Sequence, residues 1–266
     1  MTHPQAEYLK TTWYCDYDHP EIIRQSRAVT ANLSTDTEKA LAIFYWVRDK
    51  ILYRVGHWQK RASETLYERE GTCTNAANLF VSMCRAVGIP AGYGVLRVSG
   101  KRYFGPVMLP LFRAFMKEES VHIYGAVFLE GRWIQVDPSD DYEFCRATGH
   151  FNPTAQLVDW DGKSDAMLPL DPADVMESIW PSADIDDWMA KSPKNGMGAT
   201  ALMGNTYVRF LRANREPVSS CDELEPLFVS YLLKNRFYLY LCWQYLRVRL
   251  VLQRTGREPE MAPDVS

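Results

Sequence analysis

Arg69-Glu70-Gly71-Thr72-Cys73-Thr74-Asn75-Ala76, continued by Ala77-Asn78-Leu79-Phe80-Val81-Ser82-Met83-Cys84-Arg85-Ala86-Val87-Gly88-Ile89-Pro90, sets a cysteine at the mouth of a helix. Ala76, Ala77, Phe80, Met83, Cys84 and Val87 recur at helical spacing and predict one core-facing stripe. Gly88 can adopt the left-handed conformation that ends a helix and Pro90 cannot continue one, so the spacing predicts a helix over 74–87. Cys73 then stands at its positive end. The unpaired N–H groups and the macrodipole there favour an anion, thiolate or oxyanion alike, and Gly71 leaves room for a substrate carbonyl to approach. Cys84, on the apolar stripe, reads as an ordinary buried cysteine. Cys73, among Gly, Thr and Asn, does not.

Downstream, 122–129 and 132–137 are rich in β-branched and aromatic residues, and Glu130-Gly131 between them reads as a tight hairpin turn. The implied register sets Leu129 opposite Arg132, Phe128 opposite Trp133, Ala126 opposite Gln135 and Tyr124 opposite Asp137. Alternation then puts His122, Tyr124, Ala126, Phe128, Trp133, Gln135 and Asp137 on one surface, with Ile123, Val127, Ile134 and Val136 on the core side. His122 and Asp137 become diagonal neighbours, roughly 7–8 Å apart at Cβ, close enough for a carboxylate to hold the imidazole. A carboxylate so placed fixes the tautomer and leaves the other ring nitrogen for Cys73. The plainer reading of Asp137 is the start of an Asp-Pro turn, and Asp140 and Asp141 stand as alternatives to it.

Cys73, His122 and Asp137, in this order and spacing, resemble the transglutaminase-like superfamily of cysteine enzymes. The resemblance is carried by Gly71-Thr72-Cys73, the helix ending Arg85-Ala86-Val87-Gly88-Ile89-Pro90-Ala91, His122, and Trp133-Ile134-Gln135-Val136-Asp137-Pro138. The lead-ins Trp46-Val47-Arg48-Asp49 and Tyr14 to Pro20 resemble bacterial members, and the likeness spans about 8–165. It implies an α+β, papain-like core with the nucleophile helix packed on an antiparallel sheet, over 1–165, followed by a mainly helical C-terminal extension over 166–266. It also implies acyl transfer from an amide or thioester to an amine or to water, through a Cys73 thioester. Trp58, through its indole N–H, and His57 are candidates for the second oxyanion donor, and Tyr124 for a residue facing the site. An amidase or cysteine-peptidase type of hydrolase and a catalytically silent binding module remain alternative readings.

The remaining signals narrow the class. A net charge of −3 on 266 residues gives no basic footprint for nucleic acid. Six cysteines, at 15, 73, 84, 145, 221 and 242, include no Cys-x-x-Cys pair, so neither a zinc site nor another metal or cofactor is expected. Residues 1–30 lack an apolar signal core and carry Asp16, Asp18, Glu21 and Arg24, which fits a cytoplasmic protein. The expected partners are a small-molecule, peptide or carrier-bound acyl donor and an amine acceptor.

Elsewhere, the first helix is expected to start on Thr35, with Glu38 completing a capping box, and a short helix over 63–69 should deliver the chain to Gly71. A strand is expected over 91–98, turning at Ser99-Gly100. Residues 105–120 read as a loop and short helix beside the cleft. Residues 191–205, rich in Gly, Ser and Asn, read as a surface loop without the ending of a phosphate loop. The apolar stretch 227–252 is interrupted by Lys234, Asn235, Arg236, Gln244, Arg247 and Arg249, so a soluble helix opened by Ser220-Cys221-Asp222-Glu223 is expected rather than a membrane span.

Overall fold

Thr35 Oγ1 accepts the Glu38 N–H at 3.2 Å while the Glu38 carboxylate accepts the Thr35 N–H at 2.9 Å, so the expected capping box opens a helix. A computed structural model describes residues 5–105, 108, 109, 112, 113, 117–148, 157–191 and 198–234, with 239, 240, 243, 246, 247 and 250 beyond them. That capped helix, Asp36–Lys50, is the second; α1 (Pro20–Val29) precedes it, and Asp36–Lys50 is therefore α2. α1 escaped the sequence reading because it buries only Ile22 and Ser26 and is capped by a histidine, His19 Nδ1 accepting the Glu21 N–H at 3.3 Å.

After α2 the chain forms β1 (Leu52–Tyr53), α3 (Ala62–Glu68) and β2 (Glu70–Gly71), β1 and β2 pairing in parallel. α4 (Cys73–Ala86) follows within a residue of its expected bounds. It is not striped, however: every residue from Thr74 to Arg85 is buried. Helices α1, α2 and α3 lie against it, and the sheet covers it elsewhere. Its buried polar groups are paired, as burial requires. Asn78 Nδ2 donates to the Tyr14 carbonyl at 2.9 Å, Tyr93 donates to Asn78 Oδ1 at 2.8 Å, and Arg85 donates to the carbonyls of Ala91, Lys10 and Ala183.

β3 (Ala91–Ser99) leads into the short α5 (Gly100–Phe104) rather than a simple turn. β4 (Glu119–Leu129) and β5 (Arg132–Val136) make the expected hairpin, with Leu129 paired to Arg132, Phe128 to Trp133 and Ala126 to Gln135. Glu130 and Gly131 turn it with φ of 50° and 84°, the positive values a two-residue hairpin loop uses. The sheet runs β5-β4-β3-β6 and is antiparallel throughout. α6 (Tyr142–Thr148) follows the hairpin. β6 (Val175–Ser182) comes from beyond residue 165, so the core sheet draws on the chain as far as Ser182. The α+β architecture is the one expected. Gly94 pairs with Tyr124, and a Cβ there would lie 1.9 Å from its ring. Only glycine fits.

The C-terminal part adds α7 (Asp186–Lys191), α8 (Gly198–Ala213) and α9 (Cys221–Lys234). Residues 198–205, expected as loop, are the first turns of α8; 192–197 lie outside the described residues. Gly204, inside the stretch expected as loop, packs against Val55, where a Cβ would come within 3.2 Å. Tyr207, Phe210 and Leu211 bury against Leu224, Phe228 and Leu232, and this packing outweighs weak local propensity. Leu109 and Phe112, from the segment expected beside the cleft, join the same cluster. The expected cap of α9 is present, Ser220 Oγ accepting the Glu223 N–H at 3.4 Å. Most of 235–252 lies outside the described residues. Among the described residues, no helix is long and apolar enough to cross a membrane.

Candidate active site

Arg69, in the left-handed conformation at φ 59°, ends α3 and turns the chain into β2. The Leu52 N–H donates to the Arg69 carbonyl at 2.9 Å and the Arg54 N–H to the Gly71 carbonyl at 2.7 Å, so the segment after β1 runs beside the start of α4. Gly71 is required by close approach: a Cβ would lie 2.6 Å from that of Asn75. Asn75 Oδ1 accepts the Thr72 N–H at 3.0 Å, and its Nδ2 donates to the Trp58 carbonyl at 2.8 Å. Cys73 is the first helical residue, where the N–H groups of Cys73 and Thr74 have no intrahelical acceptor. Of the five described cysteines, Cys73 alone is not buried.

His122 and Asp137 are both buried, and His122 Nε2 donates to Asp137 Oδ2 at 2.6 Å. The other carboxylate oxygen of Asp137 accepts the Ser139 N–H at 3.2 Å and the Ser139 hydroxyl, while the Asp137 N–H donates to the Ala166 carbonyl at 2.8 Å. With Nε2 taken up by Asp137, Cys73 lies close enough to the ring to act on its charge. Burial disfavours the imidazolium, but the charges of Asp137 and Cys73 together with these hydrogen bonds outweigh it, and the histidine stays protonated well above its usual range. The Tyr103 and Tyr124 rings flank it, their centroids 5.7 and 6.5 Å away. His122 and Asp137, both singled out from sequence, are thus bonded, with Cys73 near enough to influence the histidine.

Trp58 is half-buried, and its indole Nε1–H is buried without an acceptor. His57 is exposed and lines a crevice of about 530 Å³ with Arg54, Val55, Lys60, Thr72 and Ala201. Tyr124, expected to face the site, is fully buried, with its hydroxyl donated to Gln135. It backs His122 because the surface of the sheet bearing it, together with its β3 neighbours Leu96 and Val98, is itself covered by Tyr103, Met167 and Leu170. Among the described residues, no group of three or more His, Cys, Asp and Glu is arranged to hold a metal ion.

Neither alternative to Asp137 bonds to the histidine. Asp141 accepts the N–H groups of Tyr53 at 2.8 Å and Phe144 at 3.0 Å and pairs with Arg212. Asp140 is half-buried, and burial, with the Asp137 charge adding, pushes its carboxyl up to about 7. A folded-state value above the unfolded one means stability falls as pH rises from about 4 to about 7, as the unfolded chain releases the proton first. Asp140→Asn should therefore be more stable than the parent by roughly 1–3 kcal/mol at about pH 8, with the gap closing near pH 4. Denaturant melts at both pH values check this; a gap unchanged between them would contradict it.

Residues 23–138 match the family model of the transglutaminase-like superfamily. Over that segment the chain is similar to the transglutaminase-like superfamily. The matched segment contains Cys73, His122 and Asp137 and ends one residue after the aspartate. A candidate cysteine protease from Cytophaga hutchinsonii is 24% identical over 49% of this chain and 40% of that one, with a TM-score of 0.40. A candidate protease from Parabacteroides distasonis is 14% identical over 52% of this chain and 28% of that one, at 0.35. A TGase is 17% identical over 47% and 31%, at 0.27. This chain thus spans less than half the length of each. No curated protein matches it.

Around this site, two residues had escaped the sequence reading. Ser139, which grips Asp137, follows the Asp-x-Ser pattern of a side chain binding backbone two residues on, a signal that could have found it. Asn75, three residues after the cap of α4, occupies the capping-box position.

Proposed function

We propose that the protein catalyses acyl transfer through a Cys73 thioester, passing the acyl group of an amide or thioester to an amine or to water. The thiolate of Cys73 attacks the carbonyl, and the N–H groups of Cys73 and Thr74 with the Trp58 indole N–H hold the oxyanion. His122 gives its proton to the departing amine or thiol, and the thioester forms as that bond breaks. His122 then takes a proton from the incoming amine or water as it attacks, releasing product and the thiolate. Asp137 keeps the imidazole oriented throughout. The cycle as written uses no cofactor. The single observation carrying this proposal is that buried His122 is bonded to Asp137 with the partly exposed Cys73 close enough to raise its pKa.

Trp58 is the second donor because its buried N–H has no other acceptor. Trp58→Phe is expected to slow acylation of Cys73 by p-nitrophenyl acetate about 10²-fold, the usual cost of one oxyanion donor. Alkylation by iodoacetamide forms no oxyanion and should proceed at the parental rate. Equal slowing of both reactions, or of neither, would remove Trp58 from this role. Water and amine are distinguished by product: in a mass spectrum, an added primary amine yields an amide under transfer and leaves only the acid under hydrolysis.

A further inference from the structure

Segment 53–58 is gripped by side chains from a helix about 150 residues later in the chain. Asn205 Oδ1 accepts the Val55 N–H at 3.0 Å and Asn205 Nδ2 donates to the Val55 carbonyl at 2.7 Å, replacing a missing neighbour strand with one amide group. Two turns along α8, Arg212 donates to the Tyr53 carbonyl and pairs with Asp141, which itself accepts the Tyr53 N–H at 2.8 Å. Gly204 brings the helix onto Val55, and Ala201, one turn earlier, lines the crevice that includes Thr72. Among the described residues, shorter-range ties hold the segment from the other side: the Arg54 N–H to the Gly71 carbonyl, the Arg54 guanidinium to Glu70, and the Trp58 carbonyl to Asn75.

We propose that Asn205 is a positioning residue: its amide clamps Val55 so that the segment places the Trp58 indole at the N-terminus of α4, making α8 one wall of the active site. α8 lies outside the matched segment 23–138, so this wall belongs to the C-terminal region rather than to the part matching the family. The clamp deepens the acyl-transfer proposal and rests on it, because it acts through the oxyanion donor. The chemistry is specific. An amide presents an acceptor and a donor on separate atoms in one plane, matching the N–H and C=O of a single residue, whereas a carboxylate only accepts and a hydroxyl offers both from one oxygen.

The test uses the full chain and its Asn205→Ala, Trp58→Phe and double variants, with p-nitrophenyl acetate as acylating probe and iodoacetamide as alkylating control. Asn205→Ala is expected to slow Cys73 acylation about 10- to 100-fold, the scale of a misplaced catalytic group, while alkylation holds its parental rate. The double variant should be no slower than Trp58→Phe alone, since both remove the same donor. Parental acylation in Asn205→Ala would overturn the clamp. So would equal slowing of alkylation, or losses that multiply in the double variant. If Asn205→Ala does not fold, Asn205→Asp replaces it: the acceptor is kept and the donor to Val55 lost, with the same outcomes expected. A parental chain that acylates nowhere would instead overturn the acyl-transfer proposal, which separates the two failures.

Discussion

Cys73→Ala is expected to form no acyl adduct and to abolish turnover of any accepted substrate, with Cys73→Ser retaining at most about 10⁻³ of the parental rate. Removing the nucleophile of a catalytic group that acts as a unit costs about as much as removing the whole unit, on the order of 10⁶ in a serine protease. Nothing nearby can take over, because the other described cysteines, at 15, 84, 145 and 221, are buried. Burial also raises the thiols of Cys15 and Cys84, which suppresses their thiolates. Folding should survive the change, since Cys73 is partly exposed and at a helix end. Circular dichroism verifies the fold, and single-turnover acylation measures the loss. Parental turnover in folded Cys73→Ala would rule out a thioester on this residue.

Asp137→Asn should lower the acylation rate by up to about 10⁴, the cost of the same change in a serine triad, and should move the pH profile. His122 keeps its proton above the usual histidine value because Asp137 and Cys73 outweigh the effect of burial. Without the carboxylate, burial acts with less opposition, and the imidazolium loses its proton at lower pH. The alkaline limb of the rate profile, where the protonated histidine is lost, therefore shifts toward neutrality in the variant. Stability moves with the same sign. A raised folded-state value makes the His122 contribution fully present below about 6.5 and lost as pH rises through the folded value. Breaking the buried pair should cost about 3 kcal/mol in acid and less in alkali. Stopped-flow acylation across pH, with melts at the two ends, measures both; an unmoved alkaline limb would mean that Asp137 does not govern the histidine.

Local chemistry made much of this site legible in advance. Glu130-Gly131 forced a two-residue turn, and that turn fixed the register from Leu129–Arg132 to Ala126–Gln135, which in turn carried His122 to Asp137. Gly88 and Pro90 bounded α4, and with it the place of Cys73. What stayed hidden depends on contacts far apart in sequence. No local pattern tells that Asn205, in a stretch rich in turn residues, bonds Val55, or that Arg85 ties α4 to Lys10 and Ala183. Burial on both sides of a sheet or helix is equally silent. Tyr124 read as site-facing because alternation alone cannot reveal a second covering layer, here Tyr103, Met167 and Leu170. Trp58 and His57 were indistinguishable by spacing. They separate only in three dimensions, one with a buried unpaired N–H, the other in solvent.

The most direct measurement is the mass of the acylated protein, digested and mapped after brief exposure to p-nitrophenyl acetate. A single acetyl group on the peptide containing Cys73, released by hydroxylamine as a thioester is, is the expected result. Acetyl found only on other residues, or no adduct on Cys73 in folded protein, would contradict it.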